Sequence, residues 1–250
     1  MALQFIFGSS GSGKSHSLYK KIIEEAAKHP ERNYIVLVPE QFSMQTQKDL
    51  VEASPDHAIM NIDILSFGRL AYRVMEETGG NQKIVLDDEG KNLILRKIAG
   101  DYEDELTILR GNLKRQGYIS EVKSVISEFA QYDIREEQID AMMEQAGVGT
   151  SLYYKLSDLK KVYQGFYAYL EENYITREEI LDLLCKRVPK SAILKDSVLA
   201  LDGFTGFTPV QNRLLAELLR VCRDVKVTVT IPGSEDPYLY QGPVSYTHLR

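Results

Sequence analysis

The chain is poor in cysteine and histidine, has no tryptophan, and contains no long apolar run. Two cysteines in 250 residues exclude a cysteine-rich scaffold. Cys185 and Cys222 stand apart in apolar, helix-patterned surroundings and read as packed thiols, not as a disulfide or a metal pair. The four histidines (His16, His29, His57, His248) show no metal-ligand spacing. No apolar stretch approaches the roughly 20 residues that cross a bilayer, so no membrane role is expected. The N-terminus lacks the basic-then-apolar pattern of a secretory signal, and the expectation is a cytoplasmic protein. A net charge of −6 disfavours a protein that coats nucleic acid non-specifically and leaves room for a local basic groove. With 44% hydrophobic and 26% charged residues, the composition suits one or two folded domains with a sizeable core.

What the chain does have begins at once. Phe5, Ile6 and Phe7 form a short apolar run, and Gly8-Ser9-Ser10-Gly11-Ser12-Gly13-Lys14-Ser15 fits G-x-x-x-x-G-K-[ST] at every fixed position. A helical pattern follows, with Leu18, Ile22, Ile23, Ala26 and Ala27 on one stripe. Glycines let the backbone curl closely enough to aim several N–H groups at one anion. The helix start adds partial positive charge at the same place. In such a loop Lys14 reaches the outer phosphates of a nucleotide, and the Ser15 hydroxyl sits on Mg²⁺. Residues 8–15 are therefore candidate ATP–Mg²⁺ ligands.

Strand and helix patterns then alternate. Tyr34–Val38 and Ala58–Leu65 read as strands, and 43–53 as a polar helix. Ser66 is placed to cap a further helix carrying Phe67, Leu70, Ala71, Val74 and Met75, which Gly79-Gly80 ends. From about residue 86 to 188 the pattern is helical, with helices expected at 119–132, 135–145 and 152–173. Asp87, Asp88 and Glu89 read as acids opening a helix rather than as a catalytic cluster. The tyrosines of 153–174 read as packing rather than as a base-stacking platform. Lys160-Lys161 and Lys114-Arg115 read as solvated charge. Strand patterns return at 197–202 and 225–231, separated by a helix opening at Pro209. This alternation predicts an α/β fold: a parallel, doubly wound sheet that follows the phosphate-loop pattern, with helices on both faces, interrupted by an all-helical block. The expected division is 1–85 with 189–240 for the nucleotide-binding domain and 86–188 for the insertion. The run 241–250 carries no helix or strand pattern and is expected to be an unstructured or foreign tail, foreign from about Val244.

A phosphate-loop ATPase also uses an acid at the end of a neighbouring strand to hold Mg²⁺ through water. Asp202, closing VLALD, is the candidate. Leu201–Gln211 (LDGFTGFTPVQ) resembles the second motif of superfamily 1 helicases, Asp-Glu-x-Gln-Asp followed by Pro-x-x-Gln. The Asp, Phe, Pro and Gln are kept, while Gly203, Thr205 and Gly206 stand at the Glu, Gln and second Asp. Together with GSSGSGKS, Val38–Ser43 (VPEQFS) and Asp63–Leu70 (DILSFGRL), this stretch resembles the N-terminal region of the AddB family. These are the B subunits of bacterial AddAB ATP-dependent helicase–nucleases.

The resemblance implies a protein that pairs with an AddA-type helicase/nuclease and acts on single- and double-stranded DNA ends. It implies double-strand-break processing, recognition of the Chi sequence, and a 5'-3' exodeoxyribonuclease in a C-terminal region. An iron–sulfur cluster is implied only there. It makes the α/β sheet a P-loop (RecA-like) one, residues 86–188 a 1B-like all-helical insertion, and Ser66 and Phe67 candidate DNA contacts. With Gly203 where the helicase motif carries its glutamate, the expectation is ATP binding with weak or no motor activity. Two other readings stay open: a competent DNA-stimulated translocase using another base, for which Glu40 is nearest in sequence, and a small-molecule or nucleotide kinase.

Overall fold

The computed structural model describes residues 2–79, 83–112, 115–171 and 174–231. The tail assigned to 241–250, and the positions Gly80, Lys114 and Asn173, lie outside the described residues. In chain order the elements are β1 (Ala2–Gly8), α1 (Lys14–Lys28), β2 (Tyr34–Leu37), α2 (Ser43–Ala53), β3 (Ile62–Leu65) and α3 (Phe67–Thr78). Then come β4 (Ile84–Val85), α4 (Asp88–Asp101), α5 (Gln116–Gln131), α6 (Glu136–Ala146), α7 (Ser151–Leu170), β5 (Tyr174–Ile175) and α8 (Arg177–Arg187). The last are β6 (Val198–Leu201), α9 (Pro209–Val221) and β7 (Asp224–Thr230). The chain divides into two compact units, 1–80 with 181–250, and 81–180.

The first unit is α/β, as the alternation predicts. Its five strands are all parallel, in the order β1-β7-β6-β2-β3. Register brings Leu37, Leu65 and Leu201 level, and Gly8 opposite Thr230, so the loops that follow β1, β2, β3 and β6 leave from one edge. YIVL and VLAL are apolar without alternation because both faces of a central parallel strand are covered. On one face Leu18, Tyr19, Ile22 and Ala26 of α1 pack with Leu50 of α2 over Tyr34, Val36, Val198 and Ala200. The outward-alternating Ile35, Leu37, Leu199 and Leu201 are equally buried, so the second face is covered as well.

The third strand is shorter than the pattern 58–65 predicts. Asn61 donates its side-chain amide to the carbonyls of Ala26, His29 and Arg32, and Ser54 Oγ donates to Ala58 O. Side-chain bonds thus hold 58–61 as a loop, and the ladder starts at Ile62.

The second unit is built around α4, α5, α6 and α7, with Ile94, Leu95, Ile98, Ile119, Val122, Ile126, Ile139, Val162 and Phe166 in one core. Asp87 caps α4, its Oδ1 accepting from Gly90 N–H at 2.7 Å, and Asp88 and Glu89 fill the first turn. Tyr163 and Tyr167 pack against the core, beside Phe129 and Phe166 respectively. Lys160 pairs with Asp140 at 2.7 Å, and Lys161 donates to Glu105 O. Two features escape the sequence pattern. β4 and β5 form a two-residue parallel ladder, too short to leave a periodic trace, and α8 has a weakly amphipathic composition. Burial pushes the Cys185 thiol up to about 11 and raises that of Cys222, consistent with neutral packed thiols.

Candidate functional site

The site lies at the edge of the sheet where the parallel strands end. Residues 9–13 link β1 to α1, and Gly13 occupies the N-cap of α1 at φ 82° with no side chain capping the helix and no acid in its first turn. The first N–H groups of α1 therefore have no side-chain cap, and the helix dipole favours an anion there. The loop closes over Gly8: a Cβ added at Gly8 would stand 2.3 Å from Ser12 Oγ and 3.0 Å from Lys14 Cγ. A side chain at this position would force the Ser12 and Lys14 side chains to move. Ser12 N–H donates to Ser9 O at 3.2 Å, and Lys14 Nζ donates to the same carbonyl at 2.6 Å. The lysine thus spans the loop it belongs to, with Ser9, Ser10 and Gly11 exposed around it.

Asp202, 187 positions after Ser15, follows the end of β6 and is 5% exposed. Ser15 Oγ donates to its Oδ1 at 3.0 Å. Two further hydroxyls converge on the same carboxylate: Thr228 of β7 donates to Oδ1 at 2.5 Å, and Tyr19 of α1 to Oδ2 at 2.5 Å. Burial first, and then the charge of Asp202, raises the pKa of Tyr19 above the usual tyrosine value, so the phenol stays a donor.

A serine hydroxyl beside an aspartate is a hard, all-oxygen pair. Among the described residues no group of three His, Cys, Asp or Glu gathers as a metal cage. A divalent cation here would draw its remaining ligands from phosphate and water, which is how Mg²⁺ is usually held. The loop, the uncapped helix start and this oxygen pair fit a nucleotide with Mg²⁺.

Gly203, next to Asp202, has φ +75° and lies against Pro39 and Phe42. The loop that follows, Phe204 to Thr208, contains no acid. Glu40 is exposed and its Oε1 lies 3.7 Å from Arg69 Nε. Ser66 and Phe67 do not present themselves at the surface: Ser66 Oγ accepts from Arg69 N–H as the cap of α3 and is 4% exposed. Phe67, 7% exposed, packs against Phe204 and Phe207, with ring centroids 5.3 and 6.2 Å away. The outer face of α3 lies beside them. Arg69, Tyr72, Arg73, Glu76 and Glu77, with Leu65 and Ile193, line an open groove of about 480 Å³.

Tyr19, Thr228 and Thr46 are not picked out by any motif in the sequence. The signals were present. Tyr19 follows Ser15 by one helical turn, on the same face. Thr228 is a polar residue in the middle of a buried strand, which asks for a partner.

Residues 5–242 match the family described as ADDB, N-terminal. The chain is 47% identical over 235 residues to a protein of Lachnoclostridium phytofermentans named as the B subunit of an ATP-dependent helicase/deoxyribonuclease, covering 94% of this chain and 20% of that protein. It is 34% identical to the protein of the same name from Clostridium kluyveri and 33% identical to that from Alkaliphilus metalliredigens. Each of these two alignments covers 92% of this chain and 20% of the relative. The chain thus spans about a fifth of the length of the curated relatives it matches.

Proposed function

Because the chain belongs to the ADDB N-terminal family, we propose that it forms the ATP-binding, helicase-like N-terminal part of the B subunit of an ATP-dependent helicase/deoxyribonuclease. The observation that carries this reading is the 3.0 Å bond between Ser15 and Asp202, which joins the two halves of a phosphate-loop site from opposite ends of the chain. In this reading the backbone of residues 8–15 would cradle the phosphates, Lys14 would turn from Ser9 O to them, and Ser15 directly, with Asp202 through water, would hold Mg²⁺. The metal, when bound, neutralises phosphate charge. The helical unit then corresponds to an insertion within the first motor domain.

The whole protein works, in this reading, with an AddA-type partner on single- and double-stranded DNA ends during double-strand-break repair. The nuclease and its iron–sulfur cluster belong to polypeptide beyond this chain. Ser66 and Phe67 support the DNA-facing ridge from beneath, and the α3 groove with Arg69, Tyr72 and Arg73 supplies phosphate and stacking contacts.

Motor activity is weak, because no carboxylate follows Asp202 to orient a water. Glu40, the nearest substitute base in sequence, has its carboxylate turned to Arg69. The test uses the full-length protein, measuring ATP–Mg²⁺ binding and hydrolysis with and without single-stranded DNA. Binding with little turnover is expected. Strong DNA-stimulated hydrolysis that disappears in Lys14→Ala overturns the weak motor, and absence of binding overturns the nucleotide site itself.

A further inference from the structure

Three side chains, two on α1 and one on β7, place a hydroxyl on the Asp202 carboxylate, and those from Tyr19 and Thr228 lie outside the G-x-x-x-x-G-K-[ST] pattern. Tyr19 is 5% exposed, on the face of α1 that covers the sheet. Its hydroxyl holds Oδ2 at 2.5 Å, while Ser15 and Thr228 converge on Oδ1 at 3.0 and 2.5 Å. An aspartate's terminal torsion is intrinsically broad, so a lone carboxylate has no preferred plane. Clamping both oxygens with donors from α1 and β7 gives it one. Three of about four lone-pair positions on the carboxylate are then taken by the protein, and roughly one is left for anything else.

The phenol has a single proton, and it goes to the charged acceptor. The Tyr19 oxygen is therefore left to accept from Thr46 Oγ1 of α2, 3.4 Å away and also buried. A directed chain runs from Thr46 through Tyr19 to Asp202, where Ser15 meets it.

We propose that Tyr19 is a positioning residue for the metal-dependent part of nucleotide binding, fixing the plane of the Asp202 carboxylate so that Oδ1 faces the Ser15 hydroxyl. The inference rests on residues 8–15 being a phosphate loop. A tyrosine that merely packs would fill the same space, and its hydroxyl would affect every property of the site alike. A positioning hydroxyl affects only what passes through the carboxylate.

The experiment measures affinity for a fluorescent ATP analogue in the full-length protein, once in Mg²⁺ and once in EDTA. Lys14→Ala supplies the background from any other nucleotide site. Tyr19→Phe keeps the ring and removes the hydroxyl. It is expected to bind roughly tenfold more weakly in Mg²⁺ and unchanged in EDTA, the scale usual for residues that orient a metal ligand. Thr46→Val shifts affinity the same way by a smaller factor. Equal losses in both buffers, or none in either, overturn the positioning role, and the phosphate-loop reading survives if Lys14→Ala still abolishes binding. A wild-type protein that binds in neither buffer overturns that reading and the positioning role with it.

Discussion

Gly203 and Phe42 lie within van der Waals reach: a methyl group on Gly203 would stand 3.6 Å from Phe42 Cδ2, an ordinary contact. Space therefore permits a side chain at this position, and the backbone does not. At φ +75° an L-residue pays about 1–2 kcal/mol for the left-handed conformation. Restoring the helicase-type glutamate is thus not a simple repair. Gly203→Glu and Gly203→Ala are both expected to lose about 1–2 kcal/mol in denaturant unfolding, because the cost lies in the backbone they share. ATP turnover in Gly203→Glu is expected to stay at the wild-type level. A rise in turnover with no loss of stability would show that the loop accepts the acid and that Gly203 alone limits catalysis.

Lys14 contributes little to the fold and much to the ligand. Its Nζ bond to Ser9 O is exposed, so Lys14→Ala should change stability without nucleotide by no more than about 0.5 kcal/mol. Wild-type protein should gain about 2.7 kcal/mol from ATP–Mg²⁺ at a hundredfold excess over Kd, and the variant should gain nothing. Thermal unfolding scans with and without nucleotide read both numbers.

In the helical unit the buried carboxylate of Asp158 accepts N–H groups from Thr107, Ile108 and Leu109 at 2.6–2.9 Å and is 1% exposed. Asp158→Asn leaves one acceptor oxygen and turns an NH₂ toward backbone donors. The expected loss is about 2–3 kcal/mol. Amide exchange should quicken at 107–109 while the amides of β2 and β6 keep their protection.

The α3 groove is tested by its charge. Arg69 and Arg73 sit one turn apart on the exposed face, each held by an acid, Glu40 at 3.7 Å and Asp63 at 3.0 Å. Arg69→Ala with Arg73→Ala should weaken single-stranded DNA binding for all sequences alike. It should also lower the slope of log affinity against log salt by about 1.4, twice the roughly 0.7 per phosphate of single strands. An unchanged slope places the DNA elsewhere.

Much of this was legible from sequence because the informative residues obey local rules. GSSGSGKS carries its geometry in its glycines, YIVL and VLAL announce buried strands, and the Asp202 partnership follows from the second motif. What stayed hidden depends on long-range placement. The loop at 58–61 is decided by Asn61 reaching three carbonyls on another segment. Phe67 packs against Phe204 and Phe207, more than a hundred positions later. Tyr19 belongs to no motif, and only the arrival of Asp202 at the end of β6 beside α1 gives its hydroxyl a task.

The strand order has a consequence for how the molecule comes into being. Among the described residues β1 pairs with β7 alone, so the segment bearing the phosphate loop has no ladder to join until residues 224–230 exist. During synthesis β1 must wait for β7, past the whole helical unit. Nucleotide capture by a nascent chain would therefore report that β7 has slotted in, and every shorter product should be blind to ATP.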